Sequence, residues 1–135
     1  MATLTPKTFV YGHRGASGYA PENTLEAFAI AAEMKADGVE LDVHFSKDGQ
    51  VVVIHDDKID RVSNGQGKVK EYTLEELRSF DFGYKFYGER RGIKIPTLDE
   101  VYALLAPTGM TVNVEIKASD PTICAACLGI AKSTV

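Results

Sequence analysis

Residues 39–56, with the sequence VELDVHFSKDGQVVVIHD, indicate how the rest of the chain folds. Successive strand side chains point to opposite faces, so Glu40, Asp42 and His44 share one face and the apolar residues share the other. A divalent cation most simply relieves the repulsion between two carboxylates two residues apart, and oxygen ligands favour Mg²⁺ or Ca²⁺. His55 follows the apolar run 51–54, where a strand is expected to run out into a loop. The stretch therefore predicts a cation site on a strand, with a histidine beside it.

Composition favours one soluble globular domain. The chain has 135 residues, of which 44% are hydrophobic and 25% charged. A net charge of -4 argues against a nucleic-acid partner, which would need a basic face. No apolar run approaches the ~18 residues of a membrane span, and the N-terminus lacks the pattern of a signal peptide. The two cysteines give weak evidence for an oxidising compartment, so we expect a cytoplasmic protein.

The first half of the sequence predicts a strand, a helix and a second parallel strand. A short strand at 9–12 is followed by a helix for which Asn23 is the expected N-cap and Glu26 completes a capping box. We expect an apolar stripe that extends to Met34, and Gly38 as the end of this helix. The strand 39–45 then completes a right-handed βαβ unit.

The second half contains an irregular segment and a further strand. We interpret 57–95 as an inserted excursion whose aromatic residues form a small core or a lid, rather than a platform for stacking nucleic-acid bases. A helix then begins at the N-cap Thr97, with Val101, Leu104 and Leu105 on its buried face. A third strand covers 111–117, and residues 119–121 cap a final helix.

Polar residues collect at the carboxyl ends of these predicted strands. In α/β proteins with parallel strands, that edge is where active sites form. The residues concerned are His13 and Arg14 after the first strand, Glu40 and Asp42 on the second, His55 beyond it, and Glu115 and Lys117 on the third.

These residues belong to a series of short motifs that closely resembles the glycerophosphodiester phosphodiesterase family. The motifs occur in the family's order over residues 8–117, and together they are highly specific. They are His13-Arg14-Gly15, Pro21-Glu22-Asn23-Thr24, Glu40-Leu41-Asp42, Asp48-Gly49, His55-Asp56, Ile95-Pro96-Thr97-Leu98 and Val114-Glu115-Ile116-Lys117. The resemblance implies an α/β fold, a TIM-type (β/α)8 barrel with a small insertion after the second strand.

The resemblance also implies a role for each residue. It places metal carboxylates at Glu40, Asp42 and Glu115, and the acid and base of the reaction at His13 and His55. It assigns phosphate contacts to Arg14 and Lys117. The implied activity is hydrolysis of glycerophosphodiesters to glycerol 3-phosphate and an alcohol, with one divalent cation, Mg²⁺ or Ca²⁺.

Each residue also has an interpretation without function, to which we give less weight. Glu40 and Asp42 could form a solvated face, the histidines could be structural, and Glu115 could pair with Lys117. Three further groups have no implied catalytic role. We expect His44 to be structural or at the rim, Asp56 to orient a histidine or the metal shell, and Cys124 with Cys127 to pack inside a helix.

The length of the chain, compared with that of a complete barrel, leaves several alternatives for its function. A complete barrel takes about 250 residues, so residues 1–135 predict the N-terminal portion of the domain, about three βα units plus the insertion. We expect a truncated chain, a chain that self-associates or pairs with a complementing chain, or a protein that binds a cation or phosphoester without turnover. A glycosidase with two carboxylates is a weaker alternative, and it predicts activity that a chelator does not affect.

Overall fold

The computed structural model describes residues 8–116 and 121–133, which form an α/β structure around one central strand. In chain order the elements are β1 (Tyr11–His13), α1 (Leu25–Glu33), β2 (Gly38–Phe45), β3 (Val51–Val53), α2 (Leu74–Leu77), α3 (Tyr84–Tyr87), α4 (Leu98–Leu105), β4 (Thr111–Ile116) and α5 (Thr122–Ser133). Short 3₁₀ helices lie at Val69–Glu71 and Ala106–Thr108.

β2 pairs with all three other strands. β1 and β4 run parallel to it, with Gly12 opposite Val39 and Val114 opposite Leu41. β3 runs antiparallel to the end of β2 after a tight turn at Gly49, where φ is +79°. The parallel βαβ unit predicted from the first half of the sequence is therefore present, and its strands have aligned carboxyl ends.

The start of α1 differs from the prediction. Thr24, not Asn23, is the N-cap, and its hydroxyl accepts a hydrogen bond from the backbone N–H of Ala27 at 3.2 Å. Asn23 has a φ of +56°, a left-handed conformation that asparagine tolerates better than most residues. This conformation aims its side chain at β2 instead of at the helix.

The end of α1 also differs from the prediction. The helix ends at Glu33, four residues earlier than the position next to Gly38, and Lys35 with a φ of +62° turns the chain toward the sheet. Met34 is 56% exposed, because it already lies at the C-cap, beyond the buried face. Gly38 instead begins β2, where a Cβ atom would lie 2.5 Å from the carbonyl oxygen of Thr111. Only glycine allows β2 and β4 to approach so closely there.

α4 begins with the predicted cap. The Thr97 hydroxyl accepts from the backbone N–H of Glu100, and the Glu100 carboxylate accepts from the backbone N–H of Thr97. The sequence predicts Leu104 on the buried face, which is wrong, because Leu104 is 37% exposed. The buried positions are Leu98, Val101 and Leu105, an i, i+3, i+7 stripe that starts one residue after the cap.

The main core lies between the apolar face of β2 and the long helices. Phe28 of α1, Leu41 of β2 and Ile123 of α5 are fully buried in it, together with the buried residues of α4. Cys127 is buried at the edge of the same cluster, and both Cys124 and Cys127 are free thiols. Burial of this face leaves the opposite face of β2, with its two carboxylates, turned away from the helices.

The segment 57–95 has a second, smaller core. Ile59, Leu77 and Phe82 are buried there against Val52 of β3 and Ile95 at the end of the segment. The Tyr72 and Phe80 rings meet edge to face, with centroids 5.3 Å apart. The aromatic residues therefore divide between this core and the surface, where Tyr84 and Phe86 are exposed.

The carboxylate of Asp81 closes the loop that follows α3. It accepts backbone hydrogen bonds from Gly83, Arg91, Gly92 and Ile93 at 2.6–3.3 Å. Burial of Asp81 raises its pKa, but these backbone donors outweigh burial, so the pKa lies below its usual range. An ionised carboxylate therefore organises this loop.

None of the described helices is long and apolar enough to cross a membrane.

Candidate metal centre

Three carboxylates from two neighbouring strands come together at one edge of the sheet. Glu40 and Asp42 lie on β2, and Glu115 lies directly opposite Asp42 on β4. One oxygen from each residue lies within 4.8 Å of those from the other two. Asp42 is buried, Glu40 is partly buried and Glu115 is exposed, so the group opens to solvent on the β4 side.

The electrostatics of this group favour a bound cation. Burial, together with the negative charges of Asp42 and Glu115, raises the pKa of Glu40 from 4.5 to about 7. Among the described residues, no hydrogen bond is made to either carboxylate oxygen of Glu40 or to Oδ1 of Asp42, although all three atoms are buried. Buried carboxylate oxygens without a donor are costly, and a hard divalent cation satisfies them. The residues present therefore fit such an ion.

His13 and Arg14 reach this edge from the end of β1. Nε2 of His13 lies 3.5 Å from a Glu40 carboxylate oxygen, and the His13 side chain is 70% exposed. The backbone N–H of Arg14 donates to the carbonyl of Glu40 at 2.8 Å, which fixes the two strands in register. Nη1 of Arg14 donates to Glu22 at 2.9 Å, and its Nε lies 3.7 Å from Asp42. Arg14 therefore lies between two carboxylates beside the candidate cation site.

Asn23 supports the buried carboxylate. Its Nδ2 donates to Oδ2 of Asp42 at 3.2 Å, and its backbone N–H donates to the carbonyl of Arg14 at 2.9 Å. The sequence predicts a capping role for Asn23 instead, because neither a positive φ nor a contact across 19 residues produces a local sequence pattern. The sequence feature that could have indicated this role is the position of Asn23 in the Pro21-Glu22-Asn23-Thr24 motif.

His55 enters from the end of β3. The backbone N–H of Ile54 donates to the carbonyl of Asp42 at 2.9 Å, which brings the following residue to the same edge. Nδ1 of His55 lies 2.8 Å from a carboxylate oxygen of Asp56, and the His55 carbonyl is 2.9 Å from Nε2 of His44. Asp56 thus contacts a histidine, and the side chain of His44 is engaged with backbone.

Glu22 and Arg61 are side chains that the sequence did not select for the site. Arg61 contacts Asp56 through Nε at 2.9 Å and Glu22 through Nη1 at 2.7 Å. Hydrogen bonds from Arg61, together with the contact to His55, lower the pKa of Asp56 to about 2 against the opposing effect of burial. Arg61 belongs to no quoted motif, and its pairing with Glu22 spans 39 residues, so local sequence gave no signal.

Lys117, the other predicted phosphate contact, lies outside the described residues. The predicted helix cap at 119–121 falls outside them in part as well, since 119 and 120 are not described.

The fold and the site together define a class: an α/β protein with a group of carboxylates at the carboxyl ends of its parallel strands. Residues 13–134 match the family model described as the glycerophosphoryl diester phosphodiesterase family. Because that match covers most of the chain, the chain belongs to this family.

Relatives with known names agree. The chain is 52% identical over 111 residues to a glycerophosphodiester phosphodiesterase of Caldanaerobacter subterraneus, a match over 82% of this chain and 46% of the relative. It is 44% identical over 127 residues to one from Bacillus subtilis, over 87% of this chain and 42% of the relative. The chain thus spans about half the length of the curated relatives it matches.

Solved structures show the same fold. A glycerophosphodiester phosphodiesterase from Agrobacterium tumefaciens superimposes with a TM-score of 0.83 at 37% identity, over 93% of this chain and 54% of that one. An Oleispira antarctica phosphodiesterase, solved with the product sn-glycerol-3-phosphate, superimposes with a TM-score of 0.82 at 34% identity, over 94% and 51%. The neighbours are TIM-barrel enzymes, and the described residues form an open sheet that corresponds to part of such a barrel.

Proposed function

We propose that this chain carries the catalytic residues of a metal-dependent hydrolase that converts glycerophosphodiesters to glycerol 3-phosphate and an alcohol. The observation that carries the proposal is the convergence of Glu40, Asp42 and Glu115 at one sheet edge, with their oxygens within 4.8 Å. Family membership supports the reaction class. The product bound to the Oleispira antarctica neighbour supports glycerol 3-phosphate as the phosphate-containing product.

Glu40, Asp42 and Glu115 are the residues that would hold the cation, which we propose to be Mg²⁺ or Ca²⁺. A bound divalent ion supplies a positive charge that polarises the phosphoryl group and offsets negative charge in the transition state. Asn23 holds Asp42 in its ligand orientation through the 3.2 Å hydrogen bond, so one ligand is fixed before an ion arrives.

His13 and His55 are the proposed acid and base. They approach the edge from β1 and β3, the two strands that precede and follow β2 in sequence. One histidine removes a proton from the attacking oxygen and the other protonates the leaving alkoxide. When Nδ1 of His55 donates to Asp56, its Nε2 is the atom left to exchange a proton with the substrate.

Arg14 is proposed to contact the phosphate, and Lys117 to add a second positive charge. The Arg14 guanidinium has an Nε atom with no hydrogen-bond partner among the described residues, and this atom points toward the carboxylate edge. The planar donor set of arginine matches two phosphate oxygens at once. The segment 57–95, which supplies Arg61, is proposed to be an insertion of this domain.

Release of glycerol 3-phosphate from glycerophosphocholine tests this function. The protein is assayed with added Mg²⁺ or Ca²⁺, with a chelator, and as a His13→Ala variant. The proposal predicts release that requires the cation and that the variant lacks. Release that persists undiminished in chelator would overturn the metal-dependent mechanism, and it would revive the carboxylate-pair glycosidase alternative only if a glycoside were also cleaved.

A second candidate is a protein that binds a divalent cation or a phosphoester without turnover, alone or assembled with another chain. The exposed side of the sheet favours it: β4 pairs with β2, and Ile116 at its end is 37% exposed. Cation binding without product release would select this candidate over hydrolysis, and a dimeric mass by sedimentation would select its assembled form.

A further inference from the structure

Arg61 lies outside the candidate metal centre but contacts two carboxylates that hold side chains beside that centre. Its Nη1 and Nη2 donate to the two oxygens of Glu22 at 2.7 and 3.0 Å. Its Nε and Nη2 donate to the two oxygens of Asp56 at 2.9 and 3.2 Å. Both pairs are bidentate, the geometry that the planar guanidinium favours and that the single ammonium of lysine cannot reproduce.

Each of those carboxylates holds one side chain of the proposed site. Oδ1 of Asp56 lies 2.8 Å from Nδ1 of His55, and Oε2 of Glu22 accepts from Nη1 of Arg14 at 2.9 Å. The contacts thus form a continuous row: His55, Asp56, Arg61, Glu22 and Arg14. The row joins the end of β3 to the loop after β1 through a residue of the segment 57–95.

Charge along the row is consistent with fixed ion pairs. The pKa of Asp56 is lowered to about 2, mainly by hydrogen bonds from Arg61. Burial alone would raise the pKa of Glu22, but hydrogen bonds and the positive charges of Arg61 and Arg14 bring it below its usual range. Both carboxylates are therefore ionised and accept hydrogen bonds from both sides at neutral pH.

The two ends of the row carry the groups whose orientation matters. A carboxylate held at Nδ1 selects the imidazole tautomer that has its proton on Nδ1 and leaves Nε2 unprotonated. A carboxylate held at Nη1 of Arg14 fixes the plane of that guanidinium. If Arg61 were absent, Asp56 and Glu22 would each lose two donors and could rotate away from His55 and Arg14.

We propose that Arg61 is a positioning residue: it holds His55 and Arg14 in their reactive orientations through Asp56 and Glu22, without itself contacting the substrate. The roles of His55 and Arg14 rest on the proposed function, whereas the orientation of the two side chains does not.

Arg91 provides a matched control. It lies in the same segment 57–95, its side chain is 50% exposed against 48% for Arg61, and it forms an ion pair with Glu89. It also lies over the Tyr87 ring, 4.4 Å from the centroid, so its removal loses packing as well as charge. A general effect of losing one arginine from the segment would therefore occur in Arg91→Ala too.

The test is the tautomer of His55, read from the ring nitrogen signals of ¹⁵N-labelled protein by NMR. The chain has three histidines, so His13→Gln and His44→Gln variants assign the signals. In the wild type at a pH where His55 is neutral, we expect at least about a tenfold excess of the Nδ1–H tautomer, because a hydrogen bond to a charged group favours it. In Arg61→Ala this excess should fall to about threefold or less, whereas Arg91→Ala should match the wild type.

Arg61→Lys keeps the positive charge and most of the aliphatic side chain, so it tests the bidentate geometry. It also replaces Arg61→Ala in the test if that variant fails to fold. We expect an intermediate excess, since one ammonium cannot hold both carboxylates in two-point contacts. A tautomer ratio in Arg61→Lys and Arg61→Ala equal to that of the wild type would overturn the proposal. An equal change in Arg91→Ala would overturn it as well, because the effect would then be general.

Turnover measured on the same samples separates this proposal from the proposed function. A tautomer that depends on Arg61 in a protein that releases no glycerol 3-phosphate supports the positioning role and counts against hydrolysis. Metal-dependent release with a tautomer that is insensitive to Arg61 supports hydrolysis and counts against the positioning role.

Discussion

Replacing Glu40 by glutamine should stabilise the metal-free protein and at the same time abolish its stabilisation by metal. The substitution keeps the size of the side chain but removes one of three negative charges at the sheet edge. The new amide group can donate to Asp42 or Glu115, where the carboxylate could only repel them. Stability and cation binding should therefore change in opposite directions.

The spacing of the carboxylates sets the magnitude. Two unit charges with oxygens within 4.8 Å of each other repel by roughly 3 kcal/mol at an effective dielectric constant of about 20. Salt and the solvent exposure of Glu115 reduce this repulsion. We expect Glu40→Gln to raise the free energy of unfolding by about 1–3 kcal/mol when Glu40 is ionised in the wild type.

Urea unfolding in chelator, at a pH above the Glu40 pKa of about 7, measures this difference directly. Repeating it with Mg²⁺ or Ca²⁺ at about 100 times the dissociation constant should stabilise the wild type by about 2.7 kcal/mol and leave the variant unchanged. Glu33→Gln, on the exposed face of α1, is the matched control and should change stability by less than about 0.5 kcal/mol. A Glu40→Gln protein that is less stable than wild type in chelator, or that gains as much stability from the cation as wild type does, would show, respectively, that Glu40 is not repelled by its neighbours or that it is not a ligand.

Three further outcomes are expected. Folding raises the pKa of Glu40 from 4.5 to about 7. The contribution of Glu40 to the free energy of unfolding is therefore complete below pH 4.5 and is lost as the pH rises through about 7. Thermal melts in chelator should show this decline for the wild type and a flatter profile for Glu40→Gln; equal profiles would contradict it. Glu115→Ala should weaken cation binding in calorimetry, whereas His13→Ala should leave it nearly unchanged while abolishing turnover; equal affinity in wild type and Glu115→Ala would exclude Glu115 as a ligand. Asp81→Ala should lower the free energy of unfolding by about 2–3 kcal/mol, because buried backbone donors lose a charged acceptor. Asp57→Ala, at an exposed position, should change the free energy of unfolding little, and urea unfolding of both variants measures the difference.

Sequence predicted the elements that local patterns specify. The alternation of residues 39–45 was sufficient to place Glu40 and Asp42 on one face of β2 and the core on the other. The capping box at Thr97 was equally local, and it is present. The convergence of carboxylates from β2 and β4 followed from the rule that parallel strands share their carboxyl ends.

What sequence did not predict depends on backbone conformation or on distant contacts. Asn23 has the residue type of an N-cap, but its left-handed φ passes that role to Thr24 and directs the amide to Asp42. Leu104 fits an apolar stripe as well as Leu98 does, and only the direction of α4 over the sheet decides between them. Arg61 meets Glu22 across 39 residues, and no periodicity reports such a pair.

We propose that Glu40, Asp42 and Glu115 together hold one divalent cation. A crystal structure of the protein grown with Mn²⁺, with anomalous diffraction measured at the manganese edge, tests it most directly. We expect one strong anomalous peak with an oxygen of each of the three carboxylates at about 2.0–2.6 Å. A map with no peak at this sheet edge, or a peak held by other residues, would contradict it.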